Sequence, residues 1–133
     1  MSIKFIKYKK FSDRTGSLIP FYPQIFFPKK FKIKRFFFLY GKKNYYRADH
    51  AHKKCEQIII PIHGNFKITA FFKKNKKIFN LYSQKTRGIY IKNKTWIKIN
   101  FKKDNDCLMV ICNYKYDKSE YILSFKDFKK KYL

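Results

Sequence analysis

Apolar and polar side chains interleave along most of this chain with a period near two. Lys4 to Tyr8 mixes them residue by residue. Phe31 to Tyr40 begins as alternation and closes on Phe36-Phe37-Phe38-Leu39-Tyr40, which reads as a buried run. Gln57 to Pro61, Asn65 to Phe72, Lys77 to Tyr82, Gly88 to Ile91, Trp96 to Phe101 and Cys107 to Cys112 are short segments of strand character. Turn chemistry separates them: His63-Gly64-Asn65, Lys73-Lys74-Asn75-Lys76, Lys92-Asn93-Lys94 and Lys103-Asp104-Asn105-Asp106. Many short strands at near-regular spacing predict an all-β sandwich or barrel, for which a jelly roll is the natural form.

The period changes at the C-terminus. Asp117-Lys118-Ser119-Glu120 has capping-box spacing, and Tyr121, Ile122, Phe125, Phe128 and Tyr132 follow at helical intervals. The pattern predicts an amphipathic C-terminal α-helix packed on the sheets, with Lys126, Lys129 and Lys130 in water. No repeat or linker interrupts the 133 residues, so residues 1–133 read as one domain with its own core.

Composition narrows the class. Hydrophobic residues make up 45% of the chain and aromatic rings 21%, which is too apolar for disorder. No apolar run approaches the roughly 20 residues of a membrane helix, and the interleaved N-terminus is unlike a signal peptide. Cys55, Cys107 and Cys112 are odd in number and free of CxxC pairing, so neither a disulfide framework nor a zinc knuckle follows, and a reducing cytoplasm is the expected compartment. The net charge of +25 is mostly lysine spread over every segment. It reads as a solvated surface with a field that attracts anions. A nucleic-acid-binding module is the alternative such charge raises, but no DNA- or RNA-binding motif accompanies it.

The chemistry concentrates at Arg47-Ala48-Asp49-His50-Ala51-His52, which holds two of the three histidines. In a strand, positions i and i+2 share a face, so the two imidazoles stand about 6–7 Å apart along the backbone. Such a pair either binds a metal or moves protons. HxH on a jelly-roll strand resembles the cupins, whose metal-binding motif adds an acid and a glycine downstream and a third histidine later. Here Gln57 stands at the acid's position, with Gly64 seven residues beyond, and counting from Gly88 reaches Ile99 where the third histidine would be. Two imidazoles alone make a poor metal site. The reading is a metal-free cupin whose histidines do proton chemistry, for which an unperturbed pKa near neutrality suits them. His63, in a turn beside Gly64, reads as surface.

The same segment, Arg47-x-x-His50-Ala51-His52-Lys53-Lys54-x-x-Gln57, resembles the nucleotide-sugar 3,4-ketoisomerases, the WxcM-like cupins. Other segments agree in order. Phe11 to Leu18 resembles the family's D-x-R-G-x-L, Ile33 to Tyr40 its I-K-R-V-F/Y-Y-L-Y, Gly88 to Trp96 its G-L-Y-I-P-P-x-x-W, and Tyr116 to Ile122 its Y-D-E-x-D-Y-I. Ala48 departs from a usual glycine, Thr15 from a usual arginine, Phe38 from a common tyrosine, and Lys92-Asn93 from two prolines.

The resemblance implies a cofactor-independent isomerase acting on dTDP-4-keto-6-deoxyglucose. The carbonyl would move from C4 to C3 through an enediol. His52 is then the candidate base at C3, and His50 the relay toward C4. Arg47 is a candidate for holding an enediolate or diphosphate oxygen. Gln57 would orient an imidazole or a sugar hydroxyl, and Tyr40 would bond the sugar. Trp96 is either a pocket wall or core, and Arg35 and Lys54 are candidates for the diphosphate. Arg14 is the residue tied to the C4 configuration, with the galacto product expected. The family also implies a homodimer with exchanged N-terminal strands; the lack of a nucleic-acid-binding motif and of a long apolar run argues for no nucleic-acid or membrane partner. A 3,5-epimerase and a non-catalytic sugar-binding cupin are the neighbouring alternatives.

Overall fold

A computed structural model describes residues 2–133. Two five-stranded antiparallel sheets face each other. The first contains β1 (Ile3–Lys7), β4 (Arg35–Tyr40), β6 (Gln57–His63), β9 (Arg87–Ile91) and β11 (Cys107–Cys112), in the order β1-β9-β6-β11-β4. The second contains β5 (Tyr46–His52), β7 (Asn65–Phe72), β8 (Asn75–Tyr82), β10 (Trp96–Phe101) and β12 (Tyr121–Ile122), in the order β12-β5-β10-β7-β8. From β4 onward the chain crosses between sheets at almost every connection, staying within one only for the β7–β8 hairpin. That alternation is the winding of the expected jelly roll, and the cupin-type double-stranded β-helix is the observed fold. A hairpin of β2 (Phe11–Asp13) and β3 (Gly16–Leu18) stands apart from both sheets.

Alternation along each strand explains the core. Ile59, Ile89, Leu108 and Val110 of the first sheet meet Phe66, Ile68, Leu81, Ile97 and Ile99 of the second. Ile59, Ile68, Ile89 and Leu108 are completely buried, each contributing about 1.5–3 kcal/mol of transfer free energy. The other parity of the first sheet, Ile58, Ile60, Tyr90 and Ile111, is covered by Phe27 and Phe31, which follow the single turn α1 (Pro23–Phe26). Gly64 closes the β6–β7 connection at φ +103, where a β-carbon would run into the buried Asp106 carboxylate. His63 beside it is exposed, as read, with Nδ1 3.5 Å from Asp106.

Three sequence expectations need correction. Phe36 to Tyr40 is not a buried run. Strand β4 is an edge strand that alternates, turning Phe37 and Leu39 inward and leaving Phe36, Phe38 and Tyr40 exposed. The C-terminal helix is shorter than its apolar spacing suggested. Asp117 does accept from the Ser119 N–H, but it caps only a 3₁₀ turn at Lys118–Glu120. Tyr121 and Ile122 then form β12, and the helix proper, α2 (Phe125–Tyr132), starts from a Ser124 cap that accepts from the Asp127 N–H. Trp96 is core. Its ring lies beneath α2, 5.0 Å from Phe125 and 5.6 Å from the fully buried Phe128, and its indole N–H donates to Asp49.

Candidate active site

Strand β5 carries the chemistry, and an irregularity in it sets the geometry. Ala48 and Asp49 both adopt left-handed backbone, at φ 68 and φ 58. Against β10, Ile97 pairs with His50 but Lys98 pairs with Ala48, so Asp49 is an extra residue in a β-bulge. Ile97 and Ile99 are two apart and face the core. Their partners, His50 and Arg47, therefore share that face although they are three apart. A regular strand would turn them to opposite sides. The acceptor side chain of Asp49 on the Trp96 indole anchors the bulge from behind.

The two imidazoles meet edge-on, with ring centroids 4.9 Å apart and Nε2 to Nε2 at 3.2 Å. The Nδ1 of His50 lies 3.0 Å from the Ala48 carbonyl. The Nδ1 of His52 lies 2.5 Å from Glu120 Oε1, both residues being buried. Glu120 Oε2 accepts the backbone N–H groups of Lys54 and Cys55. The pairing of Tyr121 with His52 across β12 and β5 is what delivers Glu120 to this place. Tyr121 packs its ring 4.4 Å from His52 and 5.1 Å from His50, and its hydroxyl accepts from Arg35.

Burial, then the neighbouring positive His52, pushes the His50 imidazole down to about 4. Burial also lowers His52, with the Glu120 carboxylate pulling against it. Burial acts to raise Glu120, but the hydrogen bonds from His52, Lys54 and Cys55 outweigh it and hold the carboxyl below its ordinary range.

A pocket of about 190 Å³ opens between the sheets beside this array. Its polar lining is Arg47, His50, Gln57 and Tyr121, set among Phe37, Leu39, Ile59, Ile97, Ile99 and Val110. Sites that enclose a drug-sized ligand run to about 300–1,000 Å³, so this one has room for about a single ring.

The structure thus gathers only part of the predicted set. Arg47, His50 and Gln57 line the pocket, with the Gln57 amide donating to the Cys112 thiol at 3.7 Å. His52 is buried behind His50 rather than on the wall. Arg35 stands behind Tyr121, its guanidinium against the Phe37 and Tyr116 rings. Lys54 contributes its backbone N–H to Glu120 while its ammonium lies over the Tyr114 ring. Tyr40 points away from the pocket on the outer face of β4, and Trp96 lies on the opposite face of β10. Arg14 is exposed in the turn of the β2–β3 hairpin.

Glu120 and Tyr121 were the residues that sequence reasoning missed. Both lie in the segment likened to Y-D-E-x-D-Y-I, which carries an acid at the Glu120 position, and a buried histidine needs such a partner. Of metal donors, His52, Cys55 and Glu120 come within 4.8 Å of one another. His52 Nδ1 and both Glu120 oxygens are already committed, and the pocket offers an amide and an aliphatic chain, Gln57 and Ile99, where ligands would be needed. This donor set does not fit a catalytic metal.

Comparison with known proteins agrees with this geometry. A TDP-4-oxo-6-deoxy-alpha-D-glucose-3,4-oxoisomerase of Aneurinibacillus thermoaerophilus is 29% identical over 131 residues, which span 98% of this chain and 92% of that protein. The 3,4-ketoisomerase QdtA of Thermoanaerobacterium thermosaccharolyticum, crystallised as a histidine-to-asparagine mutant with TDP-4-keto-6-deoxyglucose, superimposes with a TM-score of 0.87 at 28% identity, over 97% of this chain and 92% of that one. WlaRA, a TDP-fucose-3,4-ketoisomerase of Campylobacter jejuni, gives 0.83 at 33% identity, over 96% and 93%. The family model "FdtA: WxcM-like, C-terminal" matches residues 1–132, and the chain belongs to that family.

Proposed function

We propose that the protein is a dTDP-4-keto-6-deoxyglucose 3,4-ketoisomerase, an isomerase that works without a cofactor. The observation that carries this reading is a histidine on the wall of a sugar-sized pocket, backed by a second histidine and a buried carboxylate. The hydrogen on C3 is acidified by the C4 ketone. Removing it leaves an enediolate; the hydroxyl proton passes from O3 to O4, and a proton added at C4 leaves the carbonyl at C3. Atoms balance with no redox partner, and positioned acid–base groups suffice.

The placement of the histidines, His50 on the pocket wall and His52 buried behind it, supports exchanging the roles expected from sequence. His50 faces the sugar and is the base, acting through Nε2 because Nδ1 is held by the Ala48 carbonyl. His52 stands behind it as proton partner. Arg47 is the cation for the enediolate oxygen, Gln57 orients a hydroxyl, and the nucleotide diphosphate lies outside the mouth in the field of the lysine-rich surface. The galacto product is the reading kept for C4, on the higher identity to WlaRA, a TDP-fucose enzyme, at 33% against 28% for a TDP-quinovose 3,4-ketoisomerase of the same organism.

The exposed Phe36, Phe38, Tyr40 and Ile62 on the outer face of the first sheet support a homodimer. Strand β1, paired with β9 along Ile3 to Lys7 in one chain, is the strand to exchange. The buried free thiols suit a reducing cytoplasm, and no helix among the described residues is long and apolar enough to cross a membrane.

Incubation with dTDP-4-keto-6-deoxyglucose in deuterated water tests the reaction. NMR should show a C3 carbonyl with solvent deuterium at C4. Deuterium at C3 and C5 with the carbonyl still at C4 would mean a 3,5-epimerase. Tight dTDP binding without turnover would mean a binding protein. Salt-sensitive oligonucleotide binding independent of the histidines would revive the nucleic-acid reading.

A further inference from the structure

We infer that Glu120, His52 and His50 form one chain of hydrogen bonds that holds a proton between the two Nε2 atoms, so that the histidine pair carries a single positive charge balanced by the Glu120 carboxylate.

The argument is a count. The chain has three contacts: Ala48 carbonyl to His50 Nδ1 at 3.0 Å, His50 Nε2 to His52 Nε2 at 3.2 Å, and His52 Nδ1 to Glu120 Oε1 at 2.5 Å. Each contact needs one proton. A neutral imidazole supplies only one N–H, so two neutral rings supply two protons for three contacts. A carbonyl oxygen only accepts, which fixes a proton on His50 Nδ1. Glu120 takes two backbone N–H groups on its other oxygen, and these favour the ionised carboxylate, which fixes a proton on His52 Nδ1. Both rings would then present bare Nε2 lone pairs to each other at hydrogen-bond distance. Moving either N–H to Nε2 relocates the clash to the Ala48 carbonyl or forces a proton onto Glu120. A third proton bridging the rings satisfies every contact and leaves the trio with no net charge, which is the arrangement a buried site favours.

The surroundings act on that proton in both directions. The Tyr121 ring packs on both imidazoles, and its hydroxyl faces Arg35 rather than either ring nitrogen. The Cys55 thiol lies beside His52 and Glu120, and the Asp49 carboxylate is turned to Trp96. Arg35 and Arg47, the nearby cations, oppose a second positive charge on the pair. Burial lowers both imidazoles and works against any proton added to the pair, while the Glu120 carboxylate pulls the other way on each. Glu120 is a positioning residue: it touches no substrate and acts through His52. The use of the shared proton in turnover rests on the assignment of His50 as the base, whereas the count of protons does not.

Long-range proton–nitrogen NMR of the ligand-free, ¹⁵N-histidine-labelled protein at neutral pH tests the count, with His63 supplying the third set of ring signals. Both Nδ1 signals should be of the protonated type, and both Nε2 signals should fall between the protonated and unprotonated positions. Two neutral rings, or two full imidazolium rings, would overturn the inference. In Glu120→Gln the bridging proton should be lost, giving two neutral rings, while Glu120→Asp should keep it. Unchanged Nε2 signals in Glu120→Gln would remove Glu120 from the role. A protein that shows the bridging proton but no turnover would leave the inference standing and refute the isomerase.

Discussion

Glu120 and His52 lie 68 positions apart in sequence and meet at 2.5 Å in a buried pair. The contact fixes the imidazole's tautomer and its angle, as orienting carboxylates do for functional histidines elsewhere. In Glu120→Gln the shape remains and the charge goes. Steady-state kinetics should show kcat lower by about 100-fold with KM changed little, because Glu120 is not on the pocket wall. A rise in KM with kcat preserved would place Glu120 in binding instead.

Acid should destabilise the protein through His50. Its folded pKa is depressed to about 4, below the ordinary histidine value, so in the window between the two the unfolded chain binds a proton that the folded one refuses. Stability is therefore present above the ordinary value and is lost as pH falls toward 4. The span corresponds to an effect on the order of 3 kcal/mol. Urea titrations at pH 7 and pH 4.5 should show the loss, and His50→Gln should reduce the difference. An equal loss in that variant would assign the effect to other groups.

The jelly roll was legible because its signals are local. Asn65 to Phe72 and Trp96 to Phe101 alternate, Cys107 to Cys112 is a continuous apolar run, and all three end in turns and sit where expected. The site was half legible. His50, Arg47 and Gln57 announce themselves by residue type, but two facts that arrange them do not. The bulge at Ala48–Asp49 changes which side chains share a face, and alanine gives no sign of a left-handed backbone. The pairing of β12 with β5 is non-local, and Tyr121 and Ile122 carry a helix-like spacing that the sheet edge overrides. Tyr40 misled for a related reason: five consecutive apolar residues hide which parity faces inward.

Ala48 offers a test of the bulge. Its φ of 68 lies where a β-carbon costs roughly 1–2 kcal/mol and glycine costs little. Ala48→Gly should raise stability by about 1 kcal/mol, which is a few degrees in Tm for a domain of this size. It should leave kcat unchanged, since the carbonyl that holds His50 stays in place. A loss of stability would mean that the methyl group's packing in the core outweighs the backbone strain.

Arg47 and Tyr40 separate the pocket from the sheet's outer face. Both are exposed and polar at the tip, and sequence alone nominated both. Arg47 lines the pocket with His50, and in the proposed reaction its guanidinium meets the charge that develops on the enediolate oxygen. Removing such a donor typically costs about 10²–10³ in kcat, so Arg47→Ala should lose about 100-fold or more, and Arg47→Lys should recover part of it as a point charge without the planar fork. Tyr40 faces the other way and is 65% exposed, so Tyr40→Phe should leave kcat/KM within about twofold of the parent, the range expected for a surface change of this size. If Tyr40→Phe were as damaging as Arg47→Ala, the hydroxyl would have to act in a second copy's pocket, and mixed dimers of the two variants would then regain activity.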